Sequence, residues 1–213
     1  MRSFISAAFL ASAFLASAVS AAVPETVNGH TPNPDRCPSA KVVSATSHPA
    51  VGGGNLTIAH FACDHSSAPV TRNFGRFASA RATTLEHESR DQSECTEAKE
   101  CKCGESCVQT CTKTTSLAPT QSNCNNIAES IDILATPNGI GQTFFVDANN
   151  SVLLFFSDCE WEWDNISKNT IEYCWDDFVN TEAAIETSCL GSGSTGGVCK
   201  SVGNDFQLSF AFA

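Results

Sequence analysis

The sequence predicts an α+β fold: a small disulfide-rich sandwich of an antiparallel sheet with two helices, preceded by a β-hairpin and a long loop. Three observations predict it. Twelve cysteines are spread from position 37 to position 199. Apolar residues alternate in several short runs, as they do in strands, and two other segments repeat them at helical spacing. Strands interrupted by two helices, without regular strand-helix alternation, place both helices on one face of an antiparallel sheet.

Residues 37–63 are the expected hairpin. Lys41-Val42-Val43-Ser44 and Leu56-Thr57-Ile58-Ala59-His60-Phe61 flank the turn-forming Val51-Gly-Gly-Gly-Asn55, which sets Cys37 and Cys63 at the open end as a disulfide pair. Residues 22–36, with three prolines and an Asn-Gly step, read as an unstructured lead-in. Residues 64–100 read as a flexible connector. They are polar and aperiodic, and Arg72, Arg76, Arg81 and Arg90 give a docking patch, a processing site or simply a solvated linker.

Residues 101–213 form the disulfide-rich α+β domain. A first helix begins after Ser122 or Asn123 and carries Ile127, Ile131 and Leu134 on one face. Pro137-Asn-Gly139 ends it, and Thr143–Val146 is a strand. A turn at 147–150 leads into a longer strand from Val152 to Trp163, whose alternation sets Leu153, Phe155, Ser157, Cys159, Trp161 and Trp163 against Val152, Leu154, Phe156, Asp158, Glu160, Glu162 and Asp164. A second helix fits 170–189, with Ile171, Cys174, Trp175, Phe178, Ile185 and Cys189 as its stripe. The Gly191–Gly197 loop then leads through Cys199 to a final strand carrying Phe206, Leu208, Phe210 and Phe212.

The chain opens with Arg2, an apolar stretch from Phe4 to Val19 and a Val19-Ser-Ala21 exit, the pattern of a signal peptide over 1–21. Export to the extracellular space follows. The remainder has no run of about 18 apolar residues, so no membrane anchor is expected. In an oxidising route the cysteines at 37, 63, 95, 101, 103, 107, 111, 124, 159, 174, 189 and 199 are all expected in disulfides, and most pairings stay open, since twelve allow on the order of ten thousand. The net charge is −11 and becomes one unit more negative when Arg2 leaves. Such a field excludes nucleic acid as a partner and leaves an extracellular protein or glycan. Sequons at Asn55, Asn149 and Asn165 are candidate glycosylation sites that require exposure.

The segments Cys37-Pro-Ser, Gly52-Gly53, Ala62-Cys63, Cys103-Gly-Glu-Ser-Cys107-Val-Gln-Thr-Cys111, Asn123-Cys124-Asn-Asn-Ile127, Tyr173-Cys174-Trp175-Asp176 and Gly196-Gly-Val-Cys199 resemble an uncharacterised family of small secreted cysteine-rich basidiomycete proteins. Cys95 and Cys101 are additional to that pattern, which implies a bond between them. From Cys124 onward the order of elements is also similar to killer-toxin-like and necrosis-inducing fungal effector domains. That likeness implies a secreted effector or toxin-like role, and neither family supplies a catalytic motif.

The most distinctive local feature is Asp158-Cys-Glu-Trp-Glu-Trp-Asp164. Same-face strand neighbours lie roughly 6–7 Å apart, within the carboxylate separation that glycosidic cleavage uses. Asp158, Glu160 and Glu162 are therefore the candidate catalytic residues of a polysaccharide hydrolase, or with Asp164 a calcium-binding row. A solvated polar strand face gives the same pattern. His60, Cys63, Asp64 and His65, or Cys101, Cys103, Cys107 and Cys111, have the composition of zinc ligands, but disulfides would consume those thiols, and no cofactor or metal is expected. A passive wall or matrix component is a further reading. Trp161, Trp163 and Trp175 read as core residues.

Overall fold

The computed structural model describes residues 25–34, 36, 37, 39–63, 83–85, 94–97, 99–113 and 117–213. The expected signal peptide and most of the expected connector lie outside the described residues. The chain forms, in order, strands β1 (Lys41–Pro49), β2 (Asn55–Ala62), β3 (Thr83–Leu85) and β4 (Cys107–Thr112), helix α1 (Gln121–Leu134), strands β5 (Thr143–Val146), β6 (Ser151–Phe156), β7 (Cys159–Asn165) and β8 (Ile171–Cys174), helix α2 (Trp175–Gly191), and strands β9 (Gly196–Ser201) and β10 (Phe206–Phe212). This is the α+β, mainly antiparallel and disulfide-rich architecture that the sequence predicts. One sheet has eight strands in the order β1-β2-β6-β7-β10-β9-β4-β3, and a separate ribbon pairs β5 with β8.

The hairpin is joined to the main sheet, because β2 pairs antiparallel with β6. Both helices lie on one face. There Ile127 and Ile131 of α1 and Phe178, Ile185 and Cys189 of α2 meet Val152, Leu154, Trp161, Trp163, Leu208 and Phe210 from the strands. Trp163 stacks on Phe206 with ring centroids 5.4 Å apart, and Trp175 lies 4.1 Å from Phe144 of the ribbon. All three tryptophans are thus core residues.

The expected single strand from Val152 to Trp163 is two strands. Ser157, at φ 57°, and Asp158 make a tight turn between β6 and β7, and Phe156 pairs with Cys159. A two-residue turn reverses the chain and exchanges the parity of the two faces. Val152, Leu154 and Phe156 therefore share the helix-covered face with Cys159, Trp161 and Trp163, while Leu153 and Phe155 share the other with the acidic residues. The expected helix over 170–189 also begins late. Ile171–Cys174 pairs with β5 instead, because β-branched and aromatic side chains there satisfy a pleat as readily as a helical stripe.

All twelve cysteines are oxidised. Cys37–Cys63 closes the hairpin and Cys95–Cys101 closes a short loop, as expected. Cys103–Cys174 and Cys111–Cys189 fasten the two ends of α2, Cys107–Cys199 ties β4 to β9, and Cys124–Cys159 ties α1 to β7. The expected flexible connector is structured where it is described. Thr83–Leu85 pairs with β4, and Thr96 and Glu97 are held by Glu172, whose carboxylate accepts from Thr96 N, Thr96 Oγ1 and Glu97 N.

Close approach of α2 to the sheet depends on Gly197. A Cβ there would lie 2.5 Å from Ile185 Cγ2, 2.7 Å from Phe210 Cε1 and 2.9 Å from Cys189 Sγ. Gly197→Ala is expected to lower stability by about 1–3 kcal/mol through overpacking, read as a lower Tm in thermal unfolding of the oxidised protein.

Candidate functional site: the carboxylate row of β7

Alternation along β7 sends Cys159, Trp161 and Trp163 into the helix-covered core and turns Glu160, Glu162 and Asp164 to the opposite face. That face is not solvated. Glu162 is 4% exposed and Asp164 3%, because the segment from Glu25 to Cys37 crosses it as a strap. The expected unstructured lead-in is therefore a third layer where it is described, at residues 25–34 and 36. Its prolines forbid a helix but suit an extended chain, and the apolar half of the same face, Ala59, Phe61, Leu153 and Phe155, gives it something to cover.

The strap meets the acids one by one. His30 Nδ1 is 3.1 Å from Glu160 Oε2, and its ring stacks on Phe155 at 4.0 Å. Asn33 N donates to Glu162 Oε1 at 3.0 Å. Arg36 donates to Asp164 Oδ2 at 2.8 Å and to Ser209 Oγ at 3.1 Å, and Gln207, with its amide oxygen facing the guanidinium, accepts from it as well. Ser151 donates to the other Asp164 oxygen at 2.6 Å. Asp158 is separate from the row. It sits in the turn and accepts from Thr120 N, Thr120 Oγ1 and Asn123 Nδ2 at the start of α1, where a carboxylate complements the helix dipole.

Electrostatics follow from this crowding. Burial opposes the Arg36 charge, but Asp164 and Glu162 outweigh it and raise its pKa further. Burial, then the Asp164 charge, pushes the Glu162 carboxyl well above the usual range, with Arg36 only partly offsetting them. Burial alone would raise Asp158, yet the bonds from Thr120 and Asn123 hold it low. Glu172 behaves likewise under its bonds from Thr96, Glu97 and Thr143.

Across the sheet, α2 carries two acids that sequence reasoning missed. Glu182 is 0% exposed and Glu186 1%, and neither Glu182 oxygen nor Glu186 Oε1 has a hydrogen-bond partner. Burial and the neighbouring Glu186 push Glu182 well above its ordinary value, against a weaker pull from Arg36. Burial pushes Glu186 up to about 7. The available signal was position: Glu182 falls inside the Phe178, Ile185, Cys189 stripe.

Next to Arg36 a cleft of about 150 Å³ opens, lined by Asp164, Ser151 and the amides of Asn149, Asn150 and Asn165. It is an opening onto the acidic face, and at this size it falls below the usual volume of a small-molecule site. Comparison with protein-family models, with curated proteins and with solved structures finds no match for this chain.

The cysteines of the expected zinc sets are spent in disulfides. The sulfurs that lie close together, Cys95, Cys101 and Cys103, and Cys103 and Cys174 beside Asp177, are disulfide sulfurs. Cys63 is bonded to Cys37, and Asp64 and His65 lie outside the described residues. Of the sequons, Asn55 and Asn149 are exposed, but Asn165 is 1% exposed and its amide donates to Val146 O and Asn169 O. Asn165 is thus corrected from candidate glycan site to buried turn anchor. Peptide mass mapping is expected to find any glycans at Asn55 and Asn149 and none at Asn165.

Two sets of carboxyls set the pH response. Glu162, Glu182 and Glu186 bind protons more tightly in the folded chain than in the unfolded one, so their stabilising effect is complete at acid pH and is lost as pH rises through about 7 for Glu186. Asp158 and Glu172 act oppositely and lose theirs as pH falls below the usual carboxylate range. Stability is expected to peak on the acid side of neutrality. Raising pH from 5 to 8 is expected to cost on the order of 2 kcal/mol, or roughly 4–8 °C in Tm, and Glu186→Gln should flatten that slope.

Proposed function

We propose that this chain is a secreted, cysteine-rich effector or toxin-like protein that acts by binding an extracellular protein or glycan. One observation carries the reading: each carboxylate from Asp158 to Asp164 is engaged by the protein itself, so the row serves as a clasp for the strap and a cap for α1. A hydrolase needs a pair of carboxyls flanking an open substrate path, and the strap lies across that path. Six disulfides suit an oxidising compartment. Among the described residues no helix is long and apolar enough to cross a membrane. The likeness of the cysteine pattern to secreted basidiomycete proteins, and of the element order to fungal effector domains, supports the same reading.

A panel of plant and fungal wall polymers tests it, with soluble protein depletion and new reducing ends measured for wild type and Glu160→Gln. The expected result is retention on an extracellular target without new reducing ends, equal in both proteins, and a response from neighbouring cells. Turnover abolished by Glu160→Gln would establish the polysaccharide hydrolase instead. Quantitative recovery in the producing organism's own insoluble wall fraction, with neighbours unharmed, would establish a passive wall component.

A further inference from the structure

Among the described strands β1 lies at an edge of the eight-stranded sheet, and every residue from Val43 to Ser47 is exposed. A bare edge presents unpaired amides and carbonyls and is a template for another strand. Glu25 already uses its beginning, donating its amide to Ala40 O and accepting from Val42 N. Beyond the register shift at Val42/Ser44 the pairing with β2 runs unbroken from Ser44↔His60 to Pro49↔Asn55.

The phase of that ladder fixes which groups face out. Ala50 N donates to Gly54 O, and in an antiparallel ladder bonded pairs alternate with unbonded ones. His48, Thr46 and Ser44 therefore bond inward to β2, and Ala45 and Ser47 turn amide and carbonyl outward. Pro49 closes the row without a donor.

This pattern is self-complementary. With Thr46 on a twofold axis, Ala45 exchanges hydrogen bonds with Ser47 of a second copy, and Ser47 with that copy's Ala45. Thr46 meets its own counterpart and Ser44 meets His48, pairings of hydroxyl and imidazole in which no like charges oppose. The local charge also fits: residues 37 to 63 contain no Asp or Glu, although the chain has 23. The hairpin is the part of an acidic molecule on which two copies can approach.

We propose that β1 pairs antiparallel with β1 of a second copy of this chain about a twofold axis at Thr46, joining two sheets into one. Isologous pairing of this kind closes after two subunits, so each half retains an outer edge at β3.

Sedimentation of the oxidised, full secreted protein across a micromolar to near-millimolar series tests it. The expected result is a rise from monomer to dimer mass. The Ala45→Pro, Ser47→Pro double variant removes only outward donors, and it is expected to stay monomeric while keeping the Cys37–Cys63 bond. Should the prolines disturb the hairpin, Thr46→Lys leaves the backbone intact, sets two cations across the axis and is expected to weaken dimerisation at least tenfold. A wild type that stays monomeric throughout, leaving the edge to a strand of some other protein, overturns the proposal. Dimerisation of Thr46→Lys at wild-type strength overturns it too.

Discussion

Oxidation of sulfur at both ends of α2 is the constraint on which this architecture rests. The helix presents Glu182 and Glu186 to the interior along with Phe178 and Ile185, and buried carboxyls with unbonded oxygens work against docking. Cys103–Cys174 just before the first turn and Cys111–Cys189 near the last remove the option of drifting away. Each such cross-link is worth about 2–4 kcal/mol, chiefly by restricting the unfolded chain. With the helix held, Gly197 lets it sit closely on β9, and the aromatic layer of Trp161, Trp163 and Phe206 closes beneath.

The opposite face solves a different problem. A strand edge or face rich in acids would ordinarily stay wet, and this chain instead lays its own amino-terminal segment over β7. The contacts are unequal in weight. Arg36 with Asp164 is a half-buried charge pair, and loss of Arg36 would leave a covered carboxylate without its countercharge. His30 with Glu160 is covered to a similar degree, but an imidazole carries charge only when protonated. The strap is thus pinned at both ends, by Arg36 and Cys37 at one and by the Glu25 bonds to Ala40 and Val42 at the other, and the cleft beside Arg36 is an opening in its cover.

Much of this was legible in the residues, and the gaps have physical causes. Glycines between two β-favouring runs gave the hairpin and its disulfide, and Ile127 with Ile131 gave α1. The break between β6 and β7 was hidden because Ser157 and Asp158 carry no Gly or Asn to announce a left-handed residue. Cys107–Thr112 was hard to see as a strand among crowded cysteines. The acidic row was recognised as unusual, but its partners were not, since nothing local links Arg36 to Asp164 across more than a hundred positions. The second pair of acids was overlooked because glutamate is a good helix former and draws no notice on a helix.

The turn at Ser157 and Asp158 also has a developmental side. Two residues there keep the indoles inward and the carboxylates outward, and the pleat admits no intermediate setting. Loss or gain of a single codon at this point would exchange the two sets wholesale, sending three acids beneath the helices and two tryptophans under the strap. The length of that bend is therefore as much a part of the fold as the Asp158 side chain that ties it to α1.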